Sequence, residues 1–267
     1  MITLATNFVP LFMLTVILMA ILRFLSKHIM LMLYRLAGWK GVIITGWIGT
    51  FFHEMSHALT AVLFGHKITA FRPYVFDTST GALGYVGHSW NSRSVYQRSG
   101  LFFIAISPCI LGTIAVYFLA VYLVPNAHQV VDYLAGISWI PQSHIAHYLW
   151  SVILSFPHFL GQLFALHNFV SFKYWVFLFI AGSLIIHMVP STTDLRNAVQ
   201  GMFILFLLIF CVLFWAWLLG VDEIAVLYIY QFAALLNFLL ALACLFSLAC
   251  YLLFAAIAFL EEVGVSR

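Results

Sequence analysis

The sequence predicts an all-α polytopic membrane protein with about six transmembrane helices and a short β-like hairpin after the second of them. Hydrophobic residues make up 65% of the 267-residue chain, and only 7% of the residues are Asp, Glu, Lys or Arg. A soluble domain carries roughly a quarter charged residues, so this chain cannot be solvated like one. We expect a single integral membrane domain over residues 1–267, multi-pass, in the cell (inner) membrane.

Long intervals without Asp, Glu, Lys or Arg place the expected spans along the chain, because a helix needs about 20 mostly apolar residues to cross a bilayer. The expected spans lie near residues 5–24, 41–65, 99–124, 172–190, 194–219 and 224–259. Residues 1–22 lack the features of a removable signal peptide, so we expect a retained helix there. Residues 144–168 are apolar but contain Pro157 and four histidines, which leaves open a seventh span, a re-entrant hairpin or an interfacial helix.

Residues 66–97 differ from the rest of the chain. Proline, glycine and asparagine residues separate β-favouring pieces such as Phe71–Phe76 and Ala82–Val86. This pattern predicts a short hairpin or paired strands directly after the second span. The positive-inside rule favours a cytoplasmic location for residues 66–98, but four basic residues between positions 23 and 40 would then lie outside, so the orientation stays open.

Charge and cysteine usage exclude some classes of partner and site. The net charge of +3 is spread between hydrophobic segments, and no basic stretch is dense enough to follow a phosphate backbone. We therefore expect membrane lipid as the surroundings of the chain, and no nucleic acid as a partner. The four cysteines lie inside apolar runs and match no zinc or redox spacing.

The second expected span contains a His-Glu-x-x-His motif formed by His53, Glu54 and His57. Histidines at positions i and i+4 lie on one helix face, so both rings can bind one zinc ion at about 2.0–2.1 Å, with Glu54 as the general base beside it. Such a short pattern also arises by chance, with each histidine merely hydrogen bonded to a neighbour. Glu54, however, is the only Asp, Glu, Lys or Arg residue between Lys40 and Lys67, and a charge in mid-span costs about 2.5–3.5 kcal/mol, which favours a functional site.

A catalytic zinc site needs a third protein ligand, and Asp194 is the best candidate. It ends one uncharged run and begins another, and it follows Pro190, which breaks a helix and frees main-chain groups near membrane depth. Ser191 and Asp194 also resemble a helix capping box, a role that is compatible with metal binding. His187 is the alternative third ligand.

The pairing of an HExxH membrane helix with a later membrane segment that contains Pro and Asp resembles the site-2 protease family of intramembrane zinc metalloproteases. The resemblance implies one zinc ion per chain, held by His53, His57 and Asp194, with Glu54 as the catalytic acid and base. It covers roughly residues 40–125 and 172–205, and it implies a metalloprotease-like core over approximately residues 40–219.

The same family has a glycine-containing β segment after the HExxH helix in its small members, and this chain has a similar segment. It resembles that segment at Gly84, Tyr85, Val86, Gly87 and His88. The resemblance implies that Gly84, Tyr85, Val86 and His88 bind substrate. Ser107-Pro108 and Gly112 in the third span fit the same pattern. The segment around Asp194 lacks the family's Asp-Gly pair and preceding Asn, and we recognise no PDZ or CBS domain, so the resemblance is to a small member of the family.

These observations predict a zinc-dependent intramembrane endopeptidase that hydrolyses peptide bonds of membrane-embedded protein substrates. The alternative is a catalytically inactive, protease-like membrane scaffold, or a metal-dependent binder that holds client helices without cutting them. A metal-ion transporter ranks last, because it requires ionisable residues along a continuous path, whereas the sequence has one polar cluster at one depth.

Overall fold

The computed structural model describes residues 2–75, 83–129, 157–158 and 161–265. Within these residues the chain is mainly helical, with two short strands. The elements are α1 (Ile2–Leu63), β1 (Lys67–Arg72), β2 (Tyr85–Ser89), α2 (Val95–Leu123), α3 (Phe172–His187), α4 (Thr192–Leu218) and α5 (Asp222–Val265). A 3₁₀ turn over Leu166–Val170 precedes α3.

Four of the described helical stretches are long and apolar enough to cross a membrane. They are Met13–Leu63, Val95–Leu123, Thr192–Leu218 and Gln231–Glu261. Large apolar side chains along α4, such as Phe203, Phe210 and Trp217, are exposed, as expected for a surface that faces lipid. The chain therefore has the mainly helical, strongly apolar architecture of a membrane protein.

The span pattern differs in two places from the one expected. The charged stretch between the expected spans 5–24 and 41–65 is largely helical, so within α1 only the break at Gly38 separates the two spans. The expected span 172–190 corresponds to α3, which has only 16 residues and ends at His187. Most of the stretch 144–168, namely residues 144–156 and 159–160, lies outside the described residues, as do residues 76–82 between the two strands.

Two glycines shape α1. Gly38 has φ 58° and ψ −155°, a conformation outside the helical region that breaks the helix near its middle. Gly65 has φ 72° and lies just beyond the last helical turn, where His66 N–H donates to Ala61 O and the Gly65 N–H donates to Val62 O. This pair of bonds is the Schellman arrangement that ends many helices, and it turns the chain from α1 into β1.

Close helix contacts surround the HExxH half of α1. A Cβ atom added to Gly49 of α1 would lie 2.2 Å from the Ser183 carbonyl of α3, and one added to Gly201 of α4 would lie 2.3 Å from the Phe102 nitrogen of α2. Only glycine permits such close approach of two main chains. Because α2 also packs on α1, these contacts bring α1, α2, α3 and α4 together around one region.

The two strands pair antiparallel and lie beside the same part of α1. Lys67 pairs with Ser89 and Arg72 with Tyr85, with an irregularity in β1 between Ile68 and Ala70. Just before β2, the segment around Gly84 approaches α1 closely. A Cβ atom there would lie 3.0 Å from the Glu54 side chain and 2.8 Å from the Pro73 carbonyl.

Candidate metal centre

Three side chains from distant parts of the sequence converge between α1 and the start of α4. The Nε2 atom of His57 lies 3.0 Å from Nε2 of His53 and 3.5 Å from Oδ2 of Asp194, and His53 Nε2 lies 3.9 Å from the same oxygen. A tetrahedral ion with bonds of about 2.0–2.2 Å separates its ligand atoms by roughly 3.3–3.6 Å. The observed separations bracket that range, so the three residues could hold one metal ion.

A hydrogen bond on the far side of the His57 ring leaves its Nε2 atom able to bind a cation. The Nδ1–H group of His57 donates to the Ile104 carbonyl at 2.7 Å, so the Nε2 atom of the neutral ring carries a lone pair. That lone pair faces a second imidazole nitrogen and a carboxylate oxygen, and such a set of acceptors requires a proton or a metal ion at its centre. Two imidazoles and one carboxylate fit zinc and related divalent ions.

Burial around the two histidines excludes much of the solvent. Both His53 and His57 are buried, and the Nδ1 atom of His53 has no hydrogen-bond partner among the described residues. This largely buried set of donor atoms could therefore hold a metal ion.

A proline of α2 leaves the Ile104 carbonyl free to accept a hydrogen bond from His57. Pro108 has no main-chain N–H, so the carbonyl four residues earlier, that of Ile104, lacks its helical partner. His57 Nδ1–H occupies this carbonyl at 2.7 Å, and the Ser107 hydroxyl also donates to it at 2.8 Å. Hydrogen bonds of this kind hold metal-binding histidines in one orientation and one tautomer.

Asp194 is fixed in place by the cap of α4. The Ser191 side chain accepts a hydrogen bond from the Asp194 N–H at 3.2 Å, and Asp194 Oδ2 accepts one from the Ser191 N–H at 2.7 Å. This is the capping box that the sequence predicts as an alternative role for Asp194. The same carboxylate faces both histidines, so in this structure the cap and the position beside the histidines occur together.

Side chains of two other helices stabilise the stretch from the last turn of α3 to the start of α4. Ser26 Oγ donates to the Ile186 carbonyl in the last turn of α3 (3.0 Å). Cys109 Sγ donates to the Met188 carbonyl (3.2 Å), and Arg23 Nη1 donates to the Pro190 carbonyl (3.2 Å). Main-chain carbonyls inside a membrane protein must be satisfied internally, so these donors stabilise the break that leads into α4.

His187, the alternative third ligand, lies outside the group of three. The Thr45 hydroxyl donates to the Gly41 carbonyl at 2.9 Å and so accepts from His187 Nε2 at 3.2 Å. The other ring nitrogen, Nδ1, then accepts from the Thr50 hydroxyl at 3.2 Å. Both nitrogens of His187 are therefore engaged by threonines of α1.

A cavity of about 290 Å³ opens beside the three converging side chains. Its walls contain all the residues that the sequence predicts as ligands, general base and substrate contacts: His53, Glu54, His57, Gly84, Tyr85, Val86, His88 and Asp194. The remaining wall comes from α2 and α4: Leu101, Ile104, Ala105, Ser191, Thr193 and Asn197. Glu54 is buried, and its carboxylate lies within reach of the Val86 main chain.

Comparison of this chain with protein-family models, with curated proteins and with solved structures finds no match in any of the three. Its function is therefore inferred from the chemistry of this cavity and its walls.

The sequence does not predict the residues that hold the site in place through contacts outside the cavity. The link from Pro108 through the Ile104 carbonyl to His57, and the contacts from Arg23 and Cys109 to the segment before α4, depend on how the helices pack. One signal was present in the sequence: a proline in the middle of an apolar span always leaves one carbonyl without its helical donor.

Proposed function

We propose that this protein is a zinc-dependent intramembrane endopeptidase of the site-2 protease type, which hydrolyses peptide bonds of membrane-embedded protein substrates. One observation carries the proposal. Two histidines of α1 and the Asp194 carboxylate of α4 converge in a cavity that also contains Glu54. A buried acid beside a three-ligand set is what hydrolysis of a peptide bond by a zinc protease requires.

The proposed chemistry divides the work among four residues. His53, His57 and Asp194 would hold one zinc ion per chain, which when bound supplies Lewis acidity and lowers the pKa of a coordinated water to about 7. Glu54 accepts a proton from the attacking water and delivers it to the leaving amine, so that one water molecule is added across the peptide bond. The buried position of Glu54 keeps bulk water away from this transfer.

The substrate must be extended before it can be cut, because the carbonyls of a helix are engaged in internal hydrogen bonds. β2 lines the cavity through Tyr85 and Val86, and among the described residues the sheet consists of β1 and β2 alone. An extended substrate segment can add to the edge of such a sheet, where main-chain hydrogen bonds replace those lost on unwinding. We propose that this edge binds substrate beside Glu54.

The proposed arrangement in the cell (inner) membrane has about six spans. The break at Gly38 divides α1 into two segments, and α2, α3, α4 and α5 supply the others. Although α3 is short, it is apolar, it packs against α1 and α2, and most of its second half is buried, so lipid need not cover its full length.

The proposal predicts that Glu54→Gln abolishes hydrolysis and leaves the fold and the bound zinc intact, because the amide is nearly isosteric but cannot accept a proton. The measurement is release of fragments from dye-labelled casein by the purified full chain in detergent, with zinc content determined by mass spectrometry. We expect cleavage to fall by at least about 100-fold, within the range attributed to general acid–base catalysis. Glu261→Gln, at an exposed position near the end of α5, is the matched control and should cleave normally.

Two outcomes contradict the proposal. Cleavage retained by the Glu54→Gln variant would assign the hydrolysis to another site or to a contaminant. A wild-type protein that binds zinc and casein but releases no fragments would favour the alternative that the sequence leaves open, a metal-dependent binder of client proteins.

A further inference from the structure

A second pair of histidines lies beside the candidate metal centre, on the strand side of the cavity. His66 follows the end of α1 and is buried, and His88 belongs to β2 and lines the cavity. Their Nδ1 atoms lie 2.9 Å apart, and both rings lie against Trp90 with centroid distances of 5.7 and 5.6 Å. The hydrolysis proposed above makes no use of this pair.

The hydrogen bonds of the pair determine which nitrogen of each neutral ring carries the proton. The Nε2 atom of His66 lies 2.8 Å from the Gln97 main-chain carbonyl, which can only accept, so this nitrogen carries the proton. The Nδ1 atom of His66 is then an acceptor, and His88 must donate from its own Nδ1. The remaining nitrogen of His88, Nε2, therefore carries a lone pair.

His88 also lines the cavity. Among the described residues, its Nε2 atom makes no hydrogen bond, and His88 forms part of the cavity wall together with Tyr85 and Val86. A neutral nitrogen without a proton can accept a hydrogen bond but cannot donate one to a carbonyl or to a developing oxyanion. The group that it recognises must therefore be a donor.

We infer that His88, held by His66 and the Gln97 carbonyl, is a positioning residue whose Nε2 accepts a hydrogen bond from a main-chain N–H group of an extended peptide in the cavity. This inference rests on the proposed function, since it names how the same cavity recognises its substrate. The Nε2 atom selects a main-chain amide, which every extended peptide offers at regular spacing along the strand. Recognition of this kind is independent of the side chains of the substrate.

The surroundings of His88 keep the ring neutral. Burial, together with the neighbouring His66 and the more distant His57, lowers the pKa of His88 to about 4, and the Asp194 carboxylate opposes this shift. At neutral pH the ring therefore retains the free lone pair that the inferred contact needs.

Nitrogen NMR of the full chain with ¹⁵N-labelled histidine rings tests the tautomer directly, with the His88 signals identified by their loss in a His88→Gln variant. We expect His88 to be protonated at Nδ1 alone and His66 at Nε2 alone. A His88 ring protonated at Nε2 would overturn the inference, because that nitrogen would then be a donor. This readout does not depend on whether the protein cleaves anything.

Peptide binding tests the role of the acceptor. Fluorescence anisotropy would measure the affinity of fluorescein-labelled casein, a chain without stable secondary structure, for the Glu54→Gln protein, which retains the cavity but does not cut. Adding His88→Phe should weaken binding by about 2- to 12-fold, the range for one hydrogen bond, whereas His88→Gln should stay within about twofold because its amide oxygen can accept. Zinc content should be the same in both variants.

His28→Phe is the control for replacing a histidine by an apolar ring, since His28 packs against Phe24 and Tyr251 on another part of α1. Equal affinity of the His88→Phe variant and its parent, or no binding of casein by the parent, would overturn the inference. Failure of the wild-type protein to cleave casein would count against the proposed function alone, because binding to the Glu54→Gln protein is measured without cleavage.

Discussion

At the scale of single residues, the Asp194 side chain is held by hydrogen bonds to Ser191 and at the same time faces His53 and His57. Its Oδ2 atom accepts the Ser191 N–H at 2.7 Å and lies 3.5 Å from His57 Nε2. The cap restrains the side chain before any ion binds, which lowers the conformational entropy that metal binding would otherwise cost. Capping and ligation are therefore roles that one carboxylate can combine.

Two substitutions separate these roles. Asp194→Asn retains an oxygen for the cap but loses the negative charge, so we expect zinc affinity to fall by more than about 100-fold with little change in thermal stability. Ser191→Ala removes the cap, which costs about 1 kcal/mol of stability, and should weaken zinc binding by about tenfold. Competition with a fluorescent chelator measures both affinities. Equal zinc affinity of the Asp194→Asn variant and the wild type would exclude Asp194 as a ligand.

At the scale of elements, the geometry of the candidate metal centre depends on an irregularity in α2. In a regular helix, the main-chain N–H of residue 108 would donate to the Ile104 carbonyl. Pro108 has no N–H group, so this carbonyl accepts a hydrogen bond from His57 instead. Pro108 itself is fully buried. A proline in a helix interior is usually unfavourable, so its presence here is consistent with a role in orienting the histidine.

Pro108→Ala tests this link. The new main-chain N–H competes for the Ile104 carbonyl, and we expect zinc affinity to fall by about 10- to 100-fold, as when other groups that orient a ligand are lost, although the helix itself gains a hydrogen bond. Chelator competition again gives the affinity, and circular dichroism checks the helix content. Pro125→Ala, beyond the end of α2, is the matched control and should bind zinc normally. An unchanged affinity in the Pro108→Ala variant would mean that the Ile104 carbonyl does not orient His57.

At the scale of the whole molecule, the parts of the site that follow from local geometry are the parts that the sequence predicts. His53 and His57 share a face because helical spacing requires it, and Asp194 is recognisable because a lone carboxylate between apolar runs is costly. The continuity of α1 is not predicted, because the charged residues near Arg23 resemble a loop. In the structure Arg23 donates to the Pro190 carbonyl, and the helix breaks only at Gly38.

The contacts behind the site could not be predicted, because they depend on packing between helices that are distant in sequence. α1 and α4 carry the three converging side chains, and both pack against α2. An ion bound by the three side chains would therefore link α1 directly to α4, two helices that otherwise contact each other mainly through α2. Which helices meet in this way is a property of the assembled bundle and of no single segment.

The central claim is that His53, His57 and Asp194 together hold one zinc ion. X-ray absorption at the zinc edge, on the purified full chain in detergent, tests it most directly. We expect about one zinc per chain, with four nitrogen or oxygen neighbours at about 2.0–2.2 Å, two of which show the scattering of imidazole rings. Sulfur neighbours at about 2.3 Å, fewer than two imidazoles, or a protein that binds no zinc when it is supplied would contradict it.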